Sequence, residues 1–251
     1  MFPRVTANAD DFGIGPEVNR AIVSAVKTGW VSTTTAMANM PGFEEACELA
    51  RQDGFVERVG AHLNVIEGSP LTDGIRFCEL FCDSDGRFCL SRSRRVMRLC
   101  RDQEDALAEE LHAQVARCRA LGLLPRHADS HRHAHEEWGI LSVAVRVCRA
   151  EGIGRLRIAR NMGRSTGLVR TLYRAAVNHR IRRAGLAASD LFGSAADYEY
   201  YVSRGGRSGT NIEVMVHPVW DAAGTLIDAT TGKRLSDMPW ARPLAAGEER
   251  R

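Results

Sequence analysis

Two adjacent carboxylates and a series of histidines are the residues of this 251-residue chain whose types and spacing could do hydrolytic chemistry. Asp10 and Asp11 stand at the end of the run "TANADD", and His62 lies in "VGAHLN". Further histidines crowd "HADSHRHAH" at 127–135, and His217 closes "EVMVHP". Carboxylate and imidazole groups together form a mixed oxygen and nitrogen ligand set, which suits a divalent metal ion.

The acid pair needs an explanation, because successive side chains of a regular strand point to opposite sides and cannot both bind one ion. At an irregular strand end, one carboxylate could bind the ion while the other accepts a proton from the attacking water. Alternatively, Asp10 or Asp11 caps the following helix, since Asp is a favoured N-cap residue. We favour the chemical interpretation, because one Asp would suffice as a cap and the helix is predicted to begin only near Pro16.

Strands and helices are predicted to alternate along the chain. The strands are 4–9, 31–39, 58–66, 126–131, 154–159 and 210–218. Helices are predicted from Pro16 to a stop at Gly29, and over 42–52, 103–122, 138–152 and 167–184. Residues 68–102 show no clean period and are interpreted as a long excursion. The tyrosine-rich segment 198–206 is open to two interpretations, a sugar-stacking loop or a subunit interface.

This alternation favours a mostly parallel sheet with helices outside it. We predict an α/β fold consisting of one (β/α) barrel domain over residues 1–251, an incomplete or distorted TIM-like barrel, with an irregular C-terminal tail at 221–251. A doubly wound open sheet is the alternative. Both architectures place their chemistry at the carboxyl ends of the strands, where the acid pair, the 127–135 cluster and His217 fall.

Composition excludes several classes of protein. A hydrophobic fraction of 44 % and a charged fraction of 26 % are typical of a globular protein, and no apolar run reaches the roughly 20 residues of a membrane span. The N-terminus does not resemble a signal peptide, and seven scattered cysteines fit a reducing compartment, so a cytoplasmic location is expected. Cys78, Cys82 and Cys89 could form a metal knuckle, but their spacing matches no common zinc ribbon.

Residues 155–183 contain nine arginines and no acid. One interpretation is an outer barrel helix at 166–184 with its apolar stripe on the sheet and its arginines in water. Another is an anion-binding surface for a nucleotide sugar or lipid-linked sugar, or a basic helix that makes peripheral contact with a membrane. Nucleic acid is not expected as a partner, because no recognition motif accompanies the charge. The sequence does not determine an oligomeric state.

Four motifs together resemble the YdjC-like family, which includes chitooligosaccharide and hopanoid-associated deacetylases. They are "NADDFG", "GAHLN", "HADSHRHAH" and "EVMVHP", in this order between residues 8 and 218. The resemblance implies a barrel hydrolase that removes acetyl groups from N-acetylated sugars with one divalent metal ion. It also implies roles for individual residues: Asp11, His62 and His131 as metal ligands, Asp10 as general base, and His217 as general acid or oxyanion contact. His133, His135 and Arg157 would bind substrate, and for His133 and His135 the alternatives are a supporting position behind the ligands or a place among the ligands.

The sequence departs from the family at Val219, where a Gly commonly follows the His-Pro pair. One carboxylate and two imidazoles suit zinc better than magnesium, so zinc is the expected ion. Two other functions use the same residues, a metal-dependent phosphoesterase and a sugar-binding protein without activity. The first would need bridging carboxylates if it used two ions, and the second could have lost Asp10 or His217, which are both present.

Overall fold

A computed structural model of the chain describes residues 4–90, 96–164 and 167–241. The strands are β1 (Arg4–Phe12), β2 (Thr33–Ala36), β3 (Val59–Leu63), β4 (His127–Ser130), β5 (Arg155–Leu156), β6 (Leu191–Ser194), β7 (Asn211–Val216), β8 (Pro218–Trp220) and β9 (Leu226–Asp228). The helices are α1 (Pro16–Lys27), α2 (Phe43–Gln52), α3 (Asp73–Arg76), α4 (Arg101–Ala120), α5 (Trp138–Ala150), α6 (Leu168–Arg183) and α7 (Ala195–Ser203). Short 3-10 turns lie at Val56–Arg58, His131–Glu136 and Leu235–Asp237.

The strand order is that of a barrel. The main sheet runs β5-β4-β3-β2-β1-β7-β6 with parallel pairing throughout. Its two edge strands come back together, because the backbone N–H of Leu156 donates to the carbonyl of Ala187 at 3.2 Å and that of Asn161 to Phe192 at 3.1 Å. The prediction of an incomplete TIM-like barrel is therefore confirmed, and the doubly wound sheet is not adopted.

The first strand shows how the two faces of the sheet differ. Ala7 and Ala9 are fully buried on the outer face, in the same apolar cluster as Ile22 of α1. Asn8 and Asp10 point inward, where the Asn8 amide donates to the Asp10 carboxylate at 2.8 Å. Because side chains alternate along a strand, the sequence Ala-Asn-Ala-Asp places its small apolar residues under the helices and its polar residues inside the barrel.

The interior of the barrel is held together by a buried guanidinium. Arg157, which directly follows β5, is 1 % exposed. Its nitrogens lie 2.7 Å from Asp10, 2.7 Å from Asp129 and 2.6 Å from Glu213, on β1, β4 and β7. Burial alone would lower the pKa of Arg157, but these three carboxylates raise it well above its usual value. The cation therefore allows three acids to be buried inside one barrel.

The structure differs from the sequence-based prediction around residues 191–203. β6 was not predicted, and residues 198–203 belong to α7 rather than to a sugar-stacking loop. The missed signal is a capping box, in which Ser194 accepts from the backbone N–H of Asp197 and the Asp197 carboxylate accepts from that of Ser194. Tyr198 is 5 % exposed and its ring packs edge-on against Trp240 at 5.2 Å.

The predicted irregular tail also contains ordered structure. β8 and β9 form an antiparallel hairpin, with a turn in which the backbone N–H of Asp221 donates to the Thr225 carbonyl at 2.9 Å. Gly224 adopts a positive φ of 72° in that turn, which other residues rarely do. Leu226 and Leu235 are buried in the core. Residues 242–251 of the predicted tail lie outside the described residues.

The long excursion between β3 and α4 contains α3 and an isolated bridge between Cys82 and Phe88. Cys82 is buried, Cys78 is half-buried and Cys89 is exposed, and all three are free thiols. Within residues 4–90, 96–164 and 167–241, they do not belong to any group of side chains close enough to hold an ion. Residues 91–95 of the excursion lie outside the described part of the chain.

The two halves of α6 differ in burial. Val177 and Ile181 are fully buried, as the predicted apolar stripe requires. Leu168, Val169 and Leu172 are instead 74 %, 83 % and 60 % exposed, so the stripe is wrong for the first turns of this helix. Thr166, where the predicted basic helix began, lies outside the described residues. No helix in the described ranges combines the length and the apolar character that crossing a bilayer demands.

Substituting Arg157 with Met should lower the free energy of unfolding by about 3–5 kcal/mol, because it leaves three buried carboxylates without their cation. Arg155→Met is a matched control on the same strand. Its side chain is 36 % exposed and makes one ion pair, to Glu213 at 3.1 Å, so the loss should be about 1 kcal/mol or less. Urea unfolding followed by circular dichroism measures both, and equal losses would contradict the dominant role of Arg157.

Candidate functional site

Asp11 leaves the regular strand geometry, and this explains how both acids reach one rim. Its φ of 71° lies in the left-handed region, and the pairing register with β2 shifts between Ala9 and Phe12. Asp tolerates this conformation better than most residues. The irregularity breaks the alternation of side chains, so Asp10 stays inside the barrel while Asp11 turns towards the histidines of neighbouring strands.

Asp11, His62 and His131 form the group that fits a metal ion. One ligand atom from each lies within 4.8 Å of those from the other two. The Asp11 carboxylate is 3.1 Å from Nε2 of His62 and 2.8 Å from Nδ1 of His131. Nε2 of His62 and Nε2 of His131 are both buried, and each faces a carboxylate oxygen, of Asp11 at 3.1 Å and of Glu67 at 3.4 Å. Buried imidazole nitrogens that face carboxylates are what a bound divalent ion would satisfy.

Asp129 orients one of these imidazoles. Its carboxylate accepts from Nδ1 of His62 at 2.6 Å, which leaves Nε2 facing Asp11. A carboxylate behind a metal-binding histidine determines its tautomer and ring orientation. Burial alone would lower the pKa of His62, but Asp129 and Asp11 raise it to about 10. Without an ion, His62 is therefore protonated at neutral pH.

A second group of side chains, Asp10, His62 and Asp129, is also close enough to hold an ion. The Arg157 guanidinium already pairs with both of its carboxylates, at 2.7 Å each. A divalent cation there would lie against a fixed positive charge. The Asp11 group carries no such competing cation, and it fits the ion better.

Asp10 is a buried carboxylate that stays ionised. Arg157 donates to both of its oxygens, at 2.7 and 2.8 Å, and Asn8 donates to one of them. Burial by itself would raise the pKa of Asp10, but Arg157 holds it well below the usual range, with smaller contributions from His62 and His217. Asp11 is likewise kept ionised, because hydrogen bonds from His131 and His62 outweigh its burial and lower its pKa.

His217 follows β7, directly beside the acid pair in the register of the sheet. Ala9 pairs with Val216, so the next residues of the two strands, Asp10 and His217, reach the same rim. The backbone N–H of His217 donates to Asp228 at 2.8 Å, and Nδ1 lies 3.1 Å from the Thr230 hydroxyl. The hairpin that follows β7 thus orients this imidazole, whose side chain is 30 % exposed.

His133, His135 and Arg157 have different surroundings in the barrel. His135 is 1 % exposed, with its Nδ1 2.6 Å from the Ser130 hydroxyl and its Nε2 3.0 Å from the Arg157 carbonyl. Burial lowers the pKa of His135 to about 4. His135 and Arg157 therefore support the site from inside the barrel, and their contact with substrate stays a prediction. His133 has a φ of 58°, and its half-buried ring packs 5.7 Å from that of Phe192.

Sequence reasoning placed Asp129 in the 127–135 cluster without giving it a role, and it missed Glu213. Both carried a detectable signal. Glu213 is a charged residue inside the otherwise apolar strand "NIEVMV", and Asp129 stands two positions before His131, on the same face of the strand. Their partners, Arg157 and His62, could be identified only from the assembled barrel.

Residues 4–246 match the family described as YdjC-like protein. A carbohydrate deacetylase of Geobacillus stearothermophilus is 31 % identical over 215 residues, which is 85 % of this chain and 78 % of that protein. A carbohydrate deacetylase of Brevibacillus brevis is 35 % identical over 144 residues, 57 % of this chain and 55 % of that protein. This chain thus aligns with only about half the length of the Brevibacillus relative.

The fold agrees with a solved structure from Enterococcus faecalis, described provisionally as a cellobiose-phosphate cleavage protein. The TM-score is 0.69 at 24 % identity, and the match covers 89 % of this chain and 84 % of that one. At this identity the likeness supports the fold alone. From the family match over nearly the whole chain and the Geobacillus relative, the chain belongs to the YdjC-like family.

Proposed function

We propose that this protein is a metal-dependent hydrolase that removes the N-acetyl group from an acetylated amino sugar. The observation that carries the proposal is the division of the acid pair: Arg157 holds Asp10, while Asp11 lies between His62 and His131. Two relatives named carbohydrate deacetylase support the same class of reaction. One arrangement thus supplies a group that accepts protons and a group that holds an ion.

The residues divide the reaction between them. Amide hydrolysis adds water to the carbonyl carbon, breaks the C–N bond and releases acetate and a free amine. We assign to Asp10 the acceptance of the water proton, because Arg157 keeps its carboxylate ionised and oriented. We assign to His217, which follows the neighbouring strand β7, the donation of a proton to the departing nitrogen.

Asp11, His62 and His131 are the residues that would hold one divalent ion. When bound, that ion supplies Lewis acidity, which acidifies the attacking water and polarises the amide carbonyl. A strongly ionised Asp10 is a weak base, so it needs an acidified water as its proton donor. Zinc suits one carboxylate and two imidazoles best, and magnesium is less favoured.

The substrate that we propose carries a phosphate or a lipid on its sugar. The support comes from the exposed apolar side chains and arginines at the start of α6. Leu168, Val169 and Leu172 are exposed at its first turns, and Arg164 and Arg170 lie beside them in the chain. Apolar side chains flanked by arginines are complementary to an anionic lipid surface. We therefore propose peripheral contact between this helix and an anionic membrane.

The first test is acetate release by zinc-loaded protein from N-acetylhexosamines presented as chito-oligomers, nucleotide sugars and lipid-diphosphate sugars. Asp10→Asn should bind zinc as the native protein does and lose turnover by about a thousandfold or more, since it removes the proton acceptor. Asp11→Ala should lose zinc as well as activity. A zinc-loaded protein that releases no acetate from any of these compounds would favour the phosphoesterase or the binding protein instead.

Zinc binding should release protons, because His62 is protonated in the metal-free protein and must be neutral as a ligand. The apparent affinity should rise by about tenfold per pH unit between pH 6 and 9, below the pKa of about 10. Calorimetry in buffers of different ionisation enthalpy measures the released protons. An affinity that is flat with pH would remove His62 from the ligand set.

Membrane contact can be tested by co-sedimentation with phosphatidylglycerol vesicles. Leu168→Gln/Leu172→Gln should weaken binding by about tenfold, since burial of both side chains in the interface is lost. The control is Leu124→Gln/Met97→Gln, which changes two other side chains, 51 % and 48 % exposed. Equal binding to neutral phosphatidylcholine vesicles, or an unchanged affinity of the α6 variant, would contradict this role.

A further inference from the structure

A groove lined by arginines lies between α6 and the loop that follows β5. Its cavity measures about 480 Å³ and is open to solvent. Four guanidinium groups line it, from Arg160 and Arg164 on the loop and from Arg174 and Arg182 on the helix. None of the described lining residues is an acid. This groove is separate from the carboxylates and imidazoles of the candidate active site.

The four arginines of the groove differ in their surroundings. Arg160 pairs with Asp197, and Arg182 donates to the Ser189 carbonyl at 3.0 Å, a neutral acceptor. Arg164 lies over the Tyr200 ring at 5.5 Å. Burial lowers the pKa of Arg174, and the positive charges of Arg170 and Arg160 lower it further, while Glu136 acts in the opposite direction. Cations that repel one another around a cavity favour an anion inside it.

The loop that carries Arg160 and Arg164 is held in a defined shape. Gly163 has a φ of 98°, and a Cβ atom there would lie 2.1 Å from the Asp197 carboxylate. The same carboxylate caps α7 and binds Arg160, with Nη2 of Arg160 2.6 Å from Oδ1. Only glycine allows this close approach, so the arginines of the loop are positioned before any ligand arrives.

Two hydrogen bonds link the walls of the groove to residues near the candidate active site. The backbone N–H of Phe192 donates to the Asn161 side chain at 2.8 Å, on the groove loop. The Phe192 ring packs inside the barrel, 4.8 Å from the Arg157 guanidinium and 5.7 Å from the His133 ring. On the other side, the Tyr173 hydroxyl of α6 donates to the Glu136 carbonyl in the segment that carries His133. The walls of the groove are therefore hydrogen-bonded to residues that pack beside the site.

We propose that this groove binds the phosphoryl groups of the substrate, so that a diphosphate-linked acetamido sugar places its sugar at the acid pair and its phosphates among the arginines. The inference rests on the proposed deacetylation and names its substrate class. Guanidinium groups form paired hydrogen bonds with phosphate oxygens, and several of them around one cavity match the charge of a diphosphate. A neutral chitin fragment carries no negative charge for these cations to pair with.

Inorganic pyrophosphate is the probe for the groove itself, titrated by calorimetry into the zinc-loaded, full-length protein. Arg164→Gln/Arg174→Gln should raise its Kd by about thirtyfold. Arg149→Gln/Arg183→Gln is the matched control, since it removes the same charge from exposed positions that do not line the groove, and it should change the Kd by less than about threefold. The single, exposed Arg164→Gln variant covers the event that the double variant fails to fold.

Equal losses in the two double variants, or no pyrophosphate binding by the native protein at millimolar concentration, would overturn the proposal. Pyrophosphate bound only at the zinc ion would be insensitive to the groove variant, and this result also overturns it. These outcomes are independent of acetate release. If pyrophosphate binds in the groove but no sugar is deacetylated, the proposed reaction fails while the anion site stands.

A kinetic comparison then identifies the source of the phosphate. For UDP-N-acetylglucosamine and for a short polyprenyl-diphosphate N-acetylglucosamine, the groove variant should raise KM with little change in kcat. For N,N′-diacetylchitobiose it should change neither constant. The diphosphate sugar with the lower native KM is the preferred class, and a groove variant that impairs all three substrates alike would contradict a phosphate site.

Discussion

The Arg157 guanidinium is the interaction on which the barrel interior depends. It lies between carboxylates from β1, β4 and β7, strands that are far apart in the sequence. A planar fork of donors can satisfy several acceptors at once, which a Lys ammonium does less well. This buried cation keeps Asp10 ionised at the rim. It contacts only one carboxylate oxygen of Asp129, so the other oxygen orients His62. The buried ion pairs of the interior therefore determine the charge and orientation of the side chains at the rim.

Backbone conformation at the strand ends is the second constraint on the site. A regular strand gives every second residue to the barrel interior, so neighbouring residues cannot serve one centre. Asp11, Arg132 and His133 all adopt positive φ, and among the described residues no other non-glycine residue does so. Such conformations cost about 1–3 kcal/mol each and persist where the surrounding structure imposes them. Asp11 and His131, at or beside these positions, meet at a common space.

Helix α6 links the closure of the barrel to its outer surface. It connects the edge strands β5 and β6, and its buried second half, with Val177 and Ile181, covers the point where they meet. The first half is left without a core to pack against, so its apolar residues and arginines face outward. The loop before it contributes two more arginines at the rim. A single connection therefore joins the edge strands of the incomplete barrel and carries the basic surface.

Much of this protein could be derived from local sequence. The alternation of strands and helices indicated the barrel, and the positions of Asp10, Asp11, His62, His131 and His217 at strand ends indicated the rim, because strand and helix periods depend on residues only a few positions apart. Tertiary structure alone decided the role of Arg157, which pairs with Asp10 across 147 residues of chain, and the exposure of Leu168 and Leu172. Pairing and burial of this kind depend on how distant strands come into register and on which part of a helix meets the core. Periodicity within a segment does not contain that information.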